Sequence, residues 1–557
     1  MKSFACASIV CLTCLLSSSW QIAYAQPLAA EAARTTDATG LLQAGFELEK
    51  AHDWIKAVQH YEVALRTYPD NSDIKRRLLI CRLHNDVNRR STDSAIEEMI
   101  GRVSAEEALD LYSEVLARLE MSYVDSMPLT EVVRSGTAYL EVALTESCFV
   151  SRHLSGQSPD AIERFRTSIH RVTLAQRVNN RFEARAIVAK AADAAHKQLR
   201  IAPTTTVMQF VFGAVCLLDP YSSFLSSAEL NEVESQIEGN FVGLGIALKP
   251  HEAPLRILNV ISGGPALEAG LEAGDLIVEI GSVDCVDVGA ERAADLLRGP
   301  EHSQVRLLVR KSDGSEVERV VVRRRVEVPS VEGSTIIEPN AGVAYLKINS
   351  FQKTTAAELD QALWSLHGQG MQSLIIDVRG NPGGWLDAAI AVADRFLVEG
   401  GIVSTRGKNG IENQNYSATR SGTWLMPLVL LIDDQSASAS EILAGAIRDN
   451  KRGVLVGHTT YGKGSVQGLF HTKSLASGIR LTVSKFYSPS GRAISDHGVQ
   501  PTVPVDVPTS DSMHLVAKKP TNAASQSPTV PQDKVLEVAI EQARRALMTA
   551  QAQADRK

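Results

Sequence analysis

Apolar residues recur along this chain with a period that changes from region to region, and each change predicts a different architecture. Between residues 41 and 70, Gly45, Leu48, Ala57, Tyr61, Ala64 and Pro69 fall at the positions of a tetratricopeptide unit. In that unit small residues let two helices approach and an aromatic ring fills the gap between them. One unit cannot bury its own face, so it should pack on a following helix near 72–90 or on a partner. A generic helical hairpin is the plainer alternative. From 105 to 200, Leu109, Tyr112, Val115, Leu116 and Leu119 keep amphipathic helical spacing, and the alanine-rich run 184–199 also favours helix. No chemistry is visible there. The texture changes near Gly239: β-type runs at 241–248, 255–260, 276–280 and 305–310 alternate with glycine-rich turns, with one helix at 288–297. That pattern suits a small, partly open barrel. From Gly342 to Val507, strands at 343–348, 373–378 and 428–432 alternate with helices at 356–367, 386–397 and 440–449, which predicts an α/β core. After Pro508 a Ser/Thr/Pro/Ala-rich linker leads to a closing helix at 535–550.

Composition narrows the setting. A chain of 557 residues is too long for one core and should hold three or more folded units. It is 44% hydrophobic and 22% charged, as ordinary globular protein is. The net charge of -7 comes from mixed signs along most of the chain, which argues against nucleic acid as a partner. Lys2, the apolar run containing Ile9, Val10, Leu12, Leu15 and Leu16, and Ala23-Tyr24-Ala25 before Gln26 read as a secretory signal peptide. The run is short for a membrane anchor, the main alternative. A lipoprotein reading of Cys14 lacks a small residue at position 13, which is Thr13. The mature protein is therefore expected to be exported, in the periplasm or with the cell envelope. Of seven cysteines, Cys6, Cys11 and Cys14 leave with the signal. Cys81, Cys148, Cys216 and Cys285 are scattered, without metal-ligand spacing, and are expected to be buried thiols rather than a disulfide.

Three segments carry candidate chemistry. Ser436-Ala437-Ser438-Ala439-Ser440-Glu441-Ile442 follows a buried strand and opens a helix. A hydroxyl at such a turn can act as a nucleophile beside free helix N–H groups, although serines there are more often caps, as Ser436 or Ser440 would be. In Thr460-Tyr461-Gly462-Lys463-Gly464-Ser465-Val466-Gln467, an extended backbone puts Lys463, Ser465 and Gln467 on one face. A buried lysine can lose its proton and serve as base, with Gln467 orienting the amine. Gly457 to Lys463 imitates a phosphate-binding loop, but Gly464 stands where its hydroxyl should be. Ser350-Phe351-Gln352-Lys353 spells the S-x-x-K of penicillin-interacting enzymes without its companion motifs and is expected to be an exposed strand end. Asp377-Val378-Arg379-Gly380-Asn381-Pro382-Gly383-Gly384 offers glycine-exposed N–H groups suited to an oxyanion hole.

Together these segments resemble the carboxy-terminal (tail-specific) processing peptidases, family S41, from about Pro203 to Val507. Leu218-Asp219-Pro220-Tyr221-Ser222-Ser223-Phe224-Leu225 and Tyr487-Ser488-Pro489-Ser490-Gly491-Arg492-Ala493-Ile494 belong to the same ordered set. The resemblance implies Ser438 as nucleophile, Lys463 as base and Gln467 as its support. It implies the N–H groups of Gly384 and Ala439 as oxyanion hole, and Asp449 as a residue one layer behind. It also implies a PDZ domain whose carboxylate loop is Gly243-Leu244-Gly245-Ile246. Gly264-Pro265-Ala266 and Ala269-Gly270-Leu271 with Gly274-Asp275 fit the centre of that domain.

The implied fold is multidomain α/β: an S41-type core of crotonase/ClpP-like kind, an inserted PDZ β-barrel and an α-helical, TPR-like N-terminal extension. The expected divisions are signal peptide 1–25, TPR-like hairpin 38–90, helical N-terminal region of the peptidase 91–238, PDZ domain 239–325, core 326–508, linker 509–534 and C-terminal helix 535–557. The helical region between Asp125 and Leu218 is longer than the family's usual one. The expected activity is serine endopeptidase action on exported proteins chosen by their C-terminal tails, with no metal or organic cofactor. The hairpin suggests a protein partner, and homo-oligomerisation stays open. A non-catalytic TPR/PDZ scaffold is the alternative, and it would not need an intact Ser438, Lys463 and Gln467 set.

Overall fold

The computed structural model describes residues 9–10, 37–175, 177–249, 252–419, 423–495, 497–505 and 533–554. The expected signal peptide lies outside them except for Ile9–Val10, and so does the linker up to residue 532.

The first helices are α1 (Ala38–Lys50), α2 (Trp54–Thr67) and α3 (Ser72–Thr92). A Cβ at Gly45 would lie 2.2 Å from the Tyr61 ring, so only glycine lets α1 and α2 close over that aromatic. Tyr61 in turn donates to Glu49 Oε1 at 2.7 Å. Seven more helices follow: α4 (Ser94–Arg102), α5 (Ala105–Ser122), α6 (Leu129–Ala143), α7 (Ser147–His153), α8 (Pro159–Thr173), α9 (Arg181–Leu199) and α10 (Pro203–Cys216). Helix α10 is the hub of this layer. Phe210 lies edge-on to Tyr112 and against Gly136 of α6. The chain then runs through β1 (Ser223–Leu225) and α11 (Ser227–Glu238).

The next unit begins where Gly239 ends α11 in a left-handed cap, φ 79°. Its strands are β2 (Asn240–Gly243), β3 (Ile246–Leu248), β4 (Leu255–Val260), β5 (Leu276–Ile280), β6 (Val283–Asp284), β7 (Gln304–Arg310), β8 (Glu316–Val322) and β9 (Arg324–Glu327). Helix α12 (Pro265–Glu268) and helix α13 (Cys285–Leu297) interrupt them. The run expected as one strand over 241–248 is two, because Gly245 takes φ 76° and turns the chain. Six strands form a sheet, in the order β3-β4-β5-β7-β8 with β6 also on β5, while β9 pairs with β2 as a separate ribbon leading in and out. Leu244, Leu255, Ile257, Ile277, Leu307 and Ala293 share the core of this unit.

The last region holds β10 (Val331–Glu338), β11 (Val343–Ile348), α14 (Thr355–Gly368), β12 (Ser373–Asp377), α15 (Leu386–Asp394), β13 (Gly401–Gly407), β14 (Gln414–Ser417), β15 (Leu428–Ile432), α16 (Ala439–Asp449), β16 (Val454–Gly457), β17 (Ser465–His471), β18 (Gly478–Tyr487), β19 (Val503–Pro504) and α17 (Lys534–Ala554). A first sheet has the order β10-β11-β12-β15-β16-β19 and is parallel from β11 onward. Its central strands β12 and β15 carry unbroken apolar runs, 374–376 and 428–432, because both faces are covered. Leu374, Ile376, Leu428, Leu430 and Ile432 face the main core, whereas Ile375, Val429 and Leu431 face α17 through Val535, Ala539 and Ala543. A second, antiparallel sheet runs β17-β18-β13-β14, with β1 also on β18. The backbone of Ile9–Val10 pairs with β17. The helical region docks on this second sheet, where Val124 N donates to Thr482 O at 2.8 Å. The four cysteines at 81, 148, 216 and 285 are unpaired, and Cys81 and Cys285 are buried.

Helix α17 seals one face of the parallel sheet, so Ala539→Glu should bury an unpartnered carboxylate there and destabilise the seal by about 3 kcal/mol or more. Thermal unfolding should begin earlier, and limited proteolysis should release the C-terminal helix while the wild type stays intact.

Candidate active site

Three neighbouring parallel strands, β11, β12 and β15, end on the same edge, the usual place for a site in such sheets. The turn after β15 carries the serine-rich motif. Ser436 Oγ lies within hydrogen-bond distance of two acceptors for its one proton, Val378 O (2.8 Å) and Asp433 Oδ1 (2.9 Å), and Ser440 Oγ donates to Asn381 O (2.9 Å). Both flanking serines therefore stitch the turn to its neighbour. Ser438 between them is the N-cap of α16 and has φ 59°, ψ -112°. A non-glycine residue there carries strain of about 1–3 kcal/mol, held in place by its surroundings.

The turn after β12 is pressed against that serine. Asn381 accepts from Gly383 N and Ala437 N and donates to Ile348 O, all within 2.8–3.0 Å, so it ties three strand ends together. Gly383 has φ 106°, and a Cβ on it would lie 2.7 Å from Ser438 Cβ and 2.9 Å from Ala439 N. The backbone can approach the serine only because that atom is missing. Phe351 clasps the turn from the other side, donating to Gly383 O (2.9 Å) and accepting from Trp385 N (2.7 Å). Ser350-Phe351-Gln352-Lys353 is thus not an exposed strand end. Phe351 and Gln352 are buried, because the continuation of β11 is captured beside the glycine turn, and Lys353 reaches Glu238 and the Trp385 ring.

The third segment is joined to the first by one carboxylate. Glu441, fully buried, accepts from Ser438 N (2.7 Å), Lys463 N (2.9 Å), Gly462 N (2.7 Å) and Thr460 Oγ1 (2.6 Å). Burial raises its carboxyl above the usual range, and the four donors work in the opposite direction. Lys463 is 1% exposed, with its Nζ 4.6 Å from the centre of the Tyr221 ring. Tyr221 is set by Asp219, which accepts from the backbone N–H groups of Tyr221 and Ser222 and from Thr482 Oγ1. A Cβ at Gly464 would meet Ser495 N at 2.2 Å, so this turn too needs glycine. Gln467 is buried on β17. Its Nε2 donates to Ser465 Oγ at 3.0 Å, and its Oε1 has no hydrogen-bond partner among the described residues.

The segments of Ser438, Ala439, Gly384, Lys463 and Gln467 meet at this edge. Asp449 does not: it closes α16, roughly 16 Å of helix from Ser438. It accepts from Ser490 N and Oγ. Burial works upward on its carboxyl, but hydrogen bonds from Ser488, Ser490 and Arg448 hold it below the usual range. The Ser490 turn leads to Ser495 and so to Gly464, which gives Asp449 an indirect path to the lysine turn. Gly243, Leu244, Gly245 and Ile246 lie elsewhere: Gly243 ends β2 of the separate ribbon, Leu244 and Gly245 form the turn, and Ile246 opens β3 of the small sheet. Sequence reasoning missed Glu441, Asn381 and Tyr221 as parts of the site. Glu441 had a signal, since it stands three residues after Ser438 at capping-box spacing. Among the described residues no cluster of three or more His, Cys, Asp or Glu could hold a metal.

Comparison with known proteins places this site in a family. A family model for Peptidase family S41 matches residues 342–505, and one for the PDZ domain matches 256–311. A carboxyl-terminal-processing protease of Synechocystis sp. is 35% identical over 295 residues, covering 52% of this chain and 68% of that protein. The carboxy-terminal processing protease CtpA of Bacillus subtilis is 31% identical over 291 residues, covering 52% and 61%. A solved structure, the photosystem II D1 C-terminal processing protease, is 25% identical over 72% of this chain and 93% of that one, with a TM-score of 0.37. The chain belongs to peptidase family S41, the carboxyl-terminal-processing serine proteases, and carries a PDZ domain.

Proposed function

We propose that the protein is an endopeptidase with a Ser438–Lys463 dyad that processes or degrades exported proteins, choosing them by their C-terminal tails. The observation that carries this reading is the Glu441 carboxylate, which takes the backbone N–H of Ser438 and that of Lys463 at once. In the proposed cycle Ser438 Oγ attacks the scissile carbonyl carbon and its proton passes to the neutral amine of Lys463. The N–H groups of Gly384 and Ala439 hold the oxyanion. Collapse expels the new amine, which takes the proton from Lys463, and water then cleaves the acyl-enzyme with the same lysine as base. The unpartnered Gln467 Oε1 suits a hydrogen bond from the Lys463 amine that keeps its lone pair towards Ser438. Asp449 acts at a distance, by fixing the turn behind Gly464.

The small sheet is read as the tail-binding β-barrel. Strand β3 ends the sheet order, paired among the described residues to β4 alone, so its other edge suits an added peptide strand. The Gly243-Leu244-Gly245-Ile246 loop is assigned the terminal carboxylate. Ala290, Ala293 and Leu297 of α13 share a core with Leu244 and Ile246, which favours small or apolar last residues. The α1–α3 hairpin is read as TPR-like and as a protein-docking module. Domain limits follow the divisions given above, and the protein is placed in the periplasm or at the cell envelope. No helix among the described residues is long and apolar enough to cross a membrane.

Ser438→Ala and Lys463→Ala should each lower kcat/KM on an unfolded substrate by at least about a thousandfold, with unchanged circular dichroism. Substantial turnover by the folded Ser438→Ala protein would overturn the dyad. Glu441→Gln keeps the shape but turns an amide N–H₂ on two of the four donors, so kcat should fall about ten- to a hundredfold, measured by steady-state cleavage. For the tail reading, a substrate with a free apolar C-terminus should be cut faster than its amidated twin. Deletion of 239–325 should erase that difference, and equal rates in the intact enzyme would contradict it.

A further inference from the structure

The N-terminal hairpin is not remote from the chemistry. Arg66, in the last turn of α2, places its guanidinium carbon 4.9 Å from the centre of the Tyr461 ring. Tyr461 stands two residues before Lys463, and its backbone N–H donates to Ser436 O at 3.0 Å. It therefore touches both the nucleophile turn and the lysine turn. One turn earlier on α2 lies Glu62, paired with Arg82 of α3 at 2.9 Å. Burial first, then the charges of Tyr461 and Glu62, push the Tyr221 hydroxyl upward, and that ring lies against Lys463 Nζ. Glu62 and Arg66 share one helical stripe of α2, and Arg66 lies over the tyrosine two residues before the lysine.

We infer that α2 is a working part of the active site, with Arg66 as a positioning residue that acts on Lys463 through Tyr461. The physical case rests on convergence. The Gly462–Lys463 turn is held by Glu441. A cation over the Tyr461 face holds the loop just before it. The Glu62–Arg82 pair keeps α2 and α3 in register while this happens. Among the described residues, the groups at Lys463 and its turn include Glu441 on α16, Tyr221 after α10 and Tyr461 in the same loop, with Arg66 over Tyr461 and Glu62 one turn earlier on α2. The hairpin's seating then sets how the base is presented, and anything that lifts α2 would detune the dyad without touching either member.

The inference rests on Lys463 being the base, and the experiment separates the two. In the full-length protein, kcat, KM and the pH profile of kcat/KM are measured for wild type, Arg66→Ala, Arg66→Lys and Lys463→Ala, with thermal unfolding as a check. An exposed cation–π contact predicts that Arg66→Ala lowers kcat about two- to fivefold. KM should change little, and the alkaline-rising limb of the profile should move. Arg66→Lys should recover most of kcat, because an ammonium also sits over a ring. The double variant Arg66→Ala/Tyr461→Leu should be no worse than Tyr461→Leu alone. An inactive Lys463→Ala beside an Arg66→Ala enzyme with unchanged kcat and pH profile would overturn this inference and leave the dyad standing. Full activity of Lys463→Ala would remove the base assignment and this inference with it.

Discussion

A single buried carboxylate holds the site together. Glu441 gathers four donors from two separate turns, one ending a parallel strand and one entering an antiparallel sheet. A buried carboxylate is costly unless its lone pairs are filled, and here every bond that fills them also fixes a piece of the site. Ser438 N and Lys463 N are two of those donors, so the spacing of the two turns follows from one residue's need for partners. The strained backbone at Ser438 is maintained from the same point, with Gly383 pressed against it from the other side.

The larger architecture serves to bring those turns within reach. Parallel strands β11, β12 and β15 deliver Phe351, the glycine turn and the serine turn to one edge. The antiparallel sheet delivers the lysine turn and Gln467, and the helical region buttresses that sheet while Asp219 sets Tyr221 over Lys463. Two further connections end on the glycine turn. Arg379, at its start, holds Asp377 and Asp533 together, tying it to α17. Gln352 and Lys353, beside Phe351, pack on Gly239 and bond Ile237 O and Glu238 at the root of the PDZ domain. The point where the small sheet leaves the body is thus a few residues from the N–H groups assigned to the oxyanion.

Periodicity and turn chemistry made much of the fold readable in advance. The buried strands 373–377 and 428–432 were legible because both faces are covered, so that 374–376 and 428–432 run apolar without alternation. The hairpin was legible because Gly45 and Tyr61 are a size-matched pair. The break of 241–248 into two strands was not, since Gly245 could equally have sat in a continuous strand until its positive φ was known. Ser350–Lys353 was misplaced for a related reason: local pattern showed a strand end, and only the neighbouring glycine turn explains why Phe351 is buried there.

By itself, then, the order of residues determined which turns are candidates for chemistry: hydroxyls at a helix start, a lysine between glycines, a glycine run after a buried strand. Those are local facts, set by side-chain size, backbone freedom and the unpaired N–H groups of a helix end. Which residues hold the turns in register was decided only by the tertiary structure. Glu441 reads as an ordinary cap, Asn381 as a turn residue and Tyr221 as part of a loop, because partners that reveal their roles are 19 to 259 residues away along the chain. The same is true of Arg66, an exposed helical arginine whose meaning appears only when α2 is set beside Tyr461. Hydrogen bonds and ring contacts between distant segments form only once burial has brought those segments together, so no local pattern can announce them.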